Sequence, residues 1–391
     1  MRDMTDITTS ALIVGGGMVG ASLAIGLARQ GKQVVVLDPK FIHQWDKNSE
    51  YDLRISAVTH DNIELLEQLG VWSRIQDCRL YPFHQLAVSD SPEHWLELGD
   101  ANGSKPLGYM IENKVMQHAL FLEMTAYDSI QCLETSLEHL CPGSQQATTV
   151  DGHIIRFDLV FGCDGAHSQV RSQSGIGVAG RDYGQRCLLS IVETEQQVPA
   201  RTWELFKDRE IHALLPLANK YACCILYGSS DQVAAWQASK ESMAGELKER
   251  FTPYIGAFKV QNYASFPLIR QSALRYVQCP TVLLGDAAHS IHPMAGQGVN
   301  LGFRDVKALL EAVQSQALTP TTERAAALTR FQRMRRIDNE TMAHAMDVIG
   351  WGFHAEKQPV PVLRRALLKG LQAFAPGRSI MTAYASGVWK L

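Results

Sequence analysis

The chain has 391 residues, 46% of them apolar and 20% charged, the composition of a folded protein with material for two or three domains. Its formal charge of −3 speaks against a nucleic-acid binder held by a broad basic surface. None of its eight cysteines is spaced as C-x-x-C, so no metal or thioredoxin-like site is expected.

Met1 to Asp6 carries two acids, one base and no apolar run, which predicts neither a signal peptide nor a transit peptide. Ala11–Val14 reads as a short buried strand, Gly15–Gly17 as a turn, and Val19–Gln30 as a helix closed by Gly31. Gln33–Asp38 is a second, β-branched strand ending in an acid. By length alone, the apolar stretch from Ala11 to Ala28 suggests a membrane span. Glycines 15, 16, 17, 20 and 26 break it into strand, turn and helix instead.

Helices are predicted at Ile63–Leu69 and Lys114–Tyr127, and a strand at Asp158–Cys163. From Arg186 to Gly228, short apolar runs broken by Pro216, Asn219 and Lys220 predict antiparallel strands. Trp236–Phe251 is expected as a helix. Phe266–Arg270, Arg275–Val277 and Thr281–Leu284 are expected as strands, and Asn300 to about Gly350 as mostly helical. The fold class is therefore α/β + β. A discontinuous Rossmann-like domain covers 1–75, 105–180 and 275–350. An antiparallel-sheet layer is inserted as 76–104 and 181–274, and residues 351–391 form a helical, basic segment.

Three motifs carry chemistry. In Gly15-x-Gly17-x-x-Gly20 the first glycine permits a tight turn, the second lets a pyrophosphate approach the backbone, and the third lets helix and strand pack closely. The helix start then offers N–H groups and a positive dipole end to phosphates. Asp38, at the end of the next strand, is placed to accept from ribose hydroxyls. This motif alone does not separate NAD from FAD. Gly285-Asp286, followed by Pro293 to Gly302, sets an acid and a glycine-rich turn before another helix, whose N-terminus suits developing negative charge. Asp164-Gly165, after a strand and before Val170-Arg171, is either a plain turn or a cofactor contact.

Together and in this order, the three motifs resemble the FAD-dependent aromatic hydroxylases of the para-hydroxybenzoate hydroxylase type. Arg54-Ile55-Ser56-Ala57, Leu69-Gly70-Val71-Trp72, Gly108–Asn113, Ala295–Asp305 and Met334-Arg335-Arg336 with Asp338-Asn339 are most similar to the ubiquinone-biosynthesis subgroup, in particular to hydroxylases of 2-polyprenyl-3-methyl-6-methoxy-1,4-benzoquinol. The resemblance implies an FAD-binding domain and a substrate domain. Gly15, Gly17, Gly20 and Asp38 would hold the ADP half of FAD, with Arg54 and Gln117 along it. Asp286 would hold the ribityl chain, and Gly296, Gln297, Gly298, Val299 and Asn300 would line the isoalloxazine. Asp164 would serve both FAD and the nicotinamide. Asp38 stands where Glu is usual, and Cys163 and His167 where Ala and Asn are commoner.

The implied reaction uses NADH or NADPH and O2 to hydroxylate a polyprenylated quinol through a flavin hydroperoxide. A dehydrogenase without oxygen chemistry, a hydroxylase for another ring position and a structural member of a biosynthetic complex are the alternatives. His289 and His292 flank the flavin loop, where they assist proton movement or are simply hydrogen-bonded loop histidines. Pro293 would shape the ring pocket. Leu214–Leu217 either face the substrate or pack in the core.

Residues 331–391 carry a net charge of +5. Val362 to Phe374 interleaves apolar residues with Arg364, Arg365 and Lys369, the pattern of an amphipathic helix that rests on anionic lipid or packs on the fold. The expected location is cytoplasmic, peripheral on the inner face of the cytoplasmic membrane.

Overall fold

A computed structural model describes residues 6–100, 103, 105–207, 209–291, 298–314, 322–354 and 360–387. The strand Asp6–Val14 lies at the centre of an eight-stranded sheet. It runs parallel to Ile154–Gly162 on one side and to Val34–Asp38 on the other, with Ala11 opposite both Leu159 and Val34. Thr281–Leu283 and Ile130–Glu134 extend the parallel core. Val34, Val35, Val36 and Leu37 are all buried, as a strand covered on both faces requires. The helices Met18–Arg29, Asn113–Met124 and Gly298–Val313 lie in one apolar core against this sheet.

A second eight-stranded sheet is built from residues 85–99, 178–273 and 289–290. Its two faces pack separately. Cys223, Ile225 and Tyr227 face one core, while Cys224, Leu226 and Ala222 face the other with the helix Lys240–Ile255, the two-residue alternation of a strand. The short strand His289–Ser290, just past Gly285-Asp286, pairs with Gln271 and Ser272 of this sheet. The nucleotide-binding layer is thereby tied to the second layer.

A three-stranded sheet joins Ile55–Thr59, Gly108–Glu112 and Leu80–Phe83. Ile55 lies opposite Glu112 and Ala57 opposite Met110, so two of the segments that carry the resemblance are partners in one ladder. Leu80–Phe83 pairs here and not in the large sheet.

The helix predicted at Trp236–Phe251 runs instead from Lys240 to Ile255, and a separate helix, Ser230–Trp236, ends where the prediction begins. Ser229 closes a capping box with Gln232, and Ser239 caps the second helix by accepting from the Ser242 N–H. Two serine caps ten residues apart start two helices, of which the apolar spacing alone marks the second. The helices Thr322–His354, Val360–Ala373 and Ala375–Ala385 complete the chain. No helix among the described residues is long and apolar enough to cross a membrane.

Candidate active site

The first glycine turn is closed by sterics. Gly15 has φ +99°, and a Cβ there would lie 2.4 Å from the Cys163 carbonyl oxygen. A Cβ on Gly20 would lie 1.9 Å from the Gly15 oxygen. At Gly17, by contrast, a Cβ would meet only Gln117 Nε2, at 3.9 Å. The open side of the turn is thus the side a phosphate must approach, and Gln117 stands beside it.

Asp38 accepts from the Gly16 N–H at 2.7 Å and from the Lys40 N–H at 2.9 Å. Burial raises its carboxyl, against these two hydrogen bonds. Its remaining lone pairs face a cleft of about 360 Å³ that Gly15, Gly17, Cys163, Asp164 and His167 also line. Asp38 and the open face at Gly17 thus share one cleft.

Asp164 accepts from Ser168 Oγ at 2.5 Å and from the N–H groups of Gln169 and Val170 at 2.7 and 3.1 Å. Its carboxylate therefore fixes the start of the short helix Gln169–Gln173. Arg171 of that helix donates to the carbonyl oxygens of Ala166 and Ala287, both at 2.8 Å. One guanidinium locks the Asp164-Gly165 turn to the Gly285-Asp286 turn.

Asp286 is exposed, yet the protein packed around it raises its carboxyl, with His289 and Arg54 opposing the shift. Arg54 is exposed as well and lies over the Phe266 ring at 5.4 Å. His289 is buried, and its Nε2 is 2.5 Å from Asp305 Oδ2. Its ring is thereby held by a hydrogen bond to a buried carboxylate.

Asp305 is fully buried. It also accepts from the Gly285 N–H at 3.0 Å and from Arg335 Nε at 2.7 Å. Arg335 in turn donates to Asn339 at 2.8 Å and to Asp338 at 2.7 Å. Arg335, Asp338 and Asn339 share one turn of the helix Thr322–His354, and only the fold brings them to Asp305 on Gly298–Val313 and to His289.

Gly298 and Val299 open the helix Gly298–Val313. The Asn300 side chain is turned inward, accepting from Asn62 at 2.8 Å and donating to the Ala57 carbonyl at 2.8 Å. Asn300 thus holds the helix start against the strand Ile55–Thr59 and leaves its backbone for any ligand. His292, Pro293, Gly296 and Gln297 lie outside the described residues.

An apolar cavity of about 220 Å³ lies between this side of the molecule and the second sheet. Arg54, Thr59 and Asn113 line it from one side, and Leu215, Ile225 and Tyr227 from the other. Leu215 faces this cavity, whereas Leu214 packs in the opposite core. The Leu214–Leu217 run therefore serves both purposes.

Comparison with known proteins decides which cofactor the cradle takes. The model of the family described as "FAD binding domain" matches residues 8–319. The chain belongs to this family. Its members at greater similarity include the 3-demethoxyubiquinol 3-hydroxylase of Escherichia coli, 35% identical over 98% of this chain and 100% of that one. The ubiquinone hydroxylase UbiL of Rhodospirillum rubrum is 33% identical over 99% of this chain and 91% of its own length. Among solved structures, p-nitrophenol 4-monooxygenase PnpA of Pseudomonas putida superposes with a TM-score of 0.77 at 18% identity, covering 97% of each chain. Pseudomonas aeruginosa PqsL gives 0.76 at 21% identity, over 91% of this chain and 100% of that one. The cofactor is FAD, the fold is that of FAD-dependent monooxygenases, and NAD(P)H is the reductant typical of the family.

Proposed function

We propose that this flavoprotein monooxygenase hydroxylates the aromatic ring of a polyprenylated quinol in ubiquinone biosynthesis, with a demethoxyubiquinol as its substrate. The cavity carries the reading. It is apolar, it is bounded by Arg54 on the Asp286 side and by the second sheet opposite, and it suits an uncharged ring better than a carboxylated one. The name of the 35% identical relative supports the same ring class.

Bound FAD supplies the redox chemistry, taking electrons from NADH or NADPH and activating O2. The chain itself binds and orients. Gly15, Gly17 and Asp38 would hold the ADP half, and Asp286 with Arg54 the middle of the cofactor. The N-terminus of Gly298–Val313 presents a positive dipole end to negative charge on the ring. Leu215, Ile225 and Phe83 exclude water from the cavity, which limits unproductive loss of reductant.

The polyprenyl tail of such a substrate resides in a bilayer. We assign peripheral membrane contact to the C-terminal helices, where Leu363, Leu367 and Phe374 are exposed beside the basic Arg365 and Lys369. Membership of a ubiquinone-biosynthesis assembly fits the same surface. The reading is tested by expressing the chain in strains blocked at single ubiquinone hydroxylations. Restored ubiquinone in the strain that accumulates demethoxyubiquinol is the expected result. Restoration only in a strain blocked at another ring position reassigns the substrate, and restoration in none removes the reading.

A further inference from the structure

The cavity assigned to the quinol ring measures about 220 Å³, below the range of about 300–1,000 Å³ typical of sites that bury a drug-sized ligand. A substituted ring fills such a space, and a polyprenyl tail has to leave it. Leu107 marks where. It lines this cavity and also a groove of about 550 Å³ beside it. Among the described residues it is the only one that the two share. Leu107 packs beside Gly99, where an added Cβ would lie 2.9 Å from Leu107 Cδ1. At this point a single residue separates cavity from groove.

The groove runs between the strand Leu96–Gly99 and the helix Ala375–Ala385. That strand ends the second sheet, and a strand at a sheet edge offers unpaired N–H groups. Here side chains of the C-terminal segment meet them. Gln372 Oε1 accepts from the Glu97 N–H at 3.0 Å, and Thr382 Oγ1 accepts from the Gly99 N–H at 3.2 Å. Beyond the helix, the Ser386 carbonyl accepts from the His60 N–H at 3.1 Å. The helix is thus a roof hung on single hydrogen bonds, and no strand ladder has to break for it to shift. Ala375 and Ala383 line the groove with Leu107. Its basic residues, Lys105 and Arg378, have long apolar stems that cover a hydrocarbon chain while their charged heads stay in water. Its acid Glu97 is paired with Arg201 at 3.0 Å.

Gln372 lines a further groove as well, about 530 Å³ between Trp95 and the helix Val360–Ala373, with Leu368 and Ala373 in its wall. This is the helix on which Leu363 and Leu367 stand exposed. Ring cavity, roofed groove and the surface assigned to the membrane therefore form one series, joined at Leu107 and Gln372. We propose that the roofed groove binds the polyprenyl tail of the substrate, which passes Leu107 and follows the C-terminal helices toward the bilayer. The assignment rests on the quinol reading above and adds the site that holds the tail while the ring is in the cavity.

The test is a binding titration of the FAD-loaded protein without reductant, followed by the perturbation of the flavin absorbance. The ligands are 2-methoxy-6-prenylphenol and 2-farnesyl-6-methoxyphenol, which differ only in tail length. Wild-type protein is expected to bind the farnesyl compound at least about tenfold more tightly, since each further buried methylene adds to affinity. In Ala383→Trp, whose indole fills the groove, that advantage is expected to fall below about threefold. Ser379→Trp, at an exposed position that lines the same groove, is expected to behave alike and carries the test should Ala383→Trp not retain FAD. An undiminished farnesyl advantage in the variants that retain FAD overturns the assignment. Equal affinity of the wild type for the two compounds also overturns it and leaves the quinol reading standing. Binding of neither compound by the wild type overturns the quinol reading itself, and the tail site with it.

Discussion

Arg335 donates from Nε to Asp305 Oδ1 at 2.7 Å, and both side chains are buried, Asp305 completely. Asp305 passes this anchorage on to the Gly285 N–H and to His289. The turn that carries Asp286 is therefore hung from an ion pair inside the molecule. Burial alone would raise the Asp305 carboxyl, but His289 and Arg335 hold it well below its usual value. Removing one member leaves the other charge buried without its partner. Arg335→Leu should cost about 3–5 kcal/mol of stability and lower FAD retention. Urea unfolding with flavin content measured in parallel checks this. Loss of stability without loss of flavin would detach the network from the cofactor.

The glycine turn separates folding from binding at two positions. At Gly20 an added methyl collides with backbone at 1.9 Å, whereas at Gly17 the space is open and φ is −66°. Gly20→Ala should destabilise the fold by about 1–3 kcal/mol. Gly17→Ala should fold within about 1 kcal/mol of wild type yet bind FAD at least about tenfold more weakly, because the methyl occupies the phosphate approach. Thermal unfolding of the apoproteins and FAD titration read the two effects. Wild-type FAD affinity in Gly17→Ala would place the pyrophosphate elsewhere.

Acid stability has a definable source in the second sheet. Glu210 sits between Arg250, at 2.8 Å, and His212, at 2.9 Å, all largely buried. Burial would raise its carboxyl, but these partners bring it down from 4.5 to about 2. A folded value below the unfolded one means that the stabilisation is complete above pH about 4.5 and is lost as the pH falls toward 2. The term amounts to roughly 3 kcal/mol at most. Glu210→Gln should therefore differ from wild type most at neutral pH, and the gap should narrow between pH about 4.5 and 2. Unfolding free energies across that range decide it. A gap independent of pH assigns the stabilisation to packing.

Much of this was legible in the sequence, because the relevant patterns are local. Strand, glycine turn, helix and acid follow one another between Ala11 and Asp38, and FAD and the monooxygenase family follow from three such motifs in order. What was illegible depends on long-range geometry. Asp164 is expected to serve the cofactor, and only the fold shows that its carboxylate also holds Ser168 and the start of the next helix while it lines the cleft beside Gly15 and Gly17. Asn300 is expected to line the isoalloxazine, and only the fold shows that its side chain is held by Ala57 and Asn62. Leu107 has no motif around it, and only the fold sets it between the cavity and the groove under the C-terminal helix. The separate helix Ser230–Trp236 and the start of the next at Lys240 follow from caps at Ser229 and Ser239, a signal that apolar spacing does not carry.

The C-terminal helix Val360–Ala373 has one side fastened and one side bare. Arg364 binds the buried Asp90 at 2.8 Å, and Gln372 Oε1, two turns on, accepts from the Glu97 N–H at 3.0 Å. Leu363 and Leu367 are one turn apart on another side, each 62% exposed, and Phe374 continues their line at 59%. Arg364 is thus committed to the fold, and Arg365 pairs with the same Asp90 at 3.3 Å but stays 60% exposed, where a lipid headgroup can compete for it. Flotation with vesicles containing anionic lipid should recover the wild-type protein, less of it as salt rises. The double variant Leu363→Glu, Leu367→Glu removes apolar anchorage and adds repulsion, so its vesicle binding should fall at least about tenfold. Its FAD content and unfolding temperature should stay unchanged, since neither leucine is buried. Equal recovery of both proteins on anionic vesicles would place membrane contact elsewhere on the surface. Recovery of neither would mean that the substrate reaches the enzyme by another carrier.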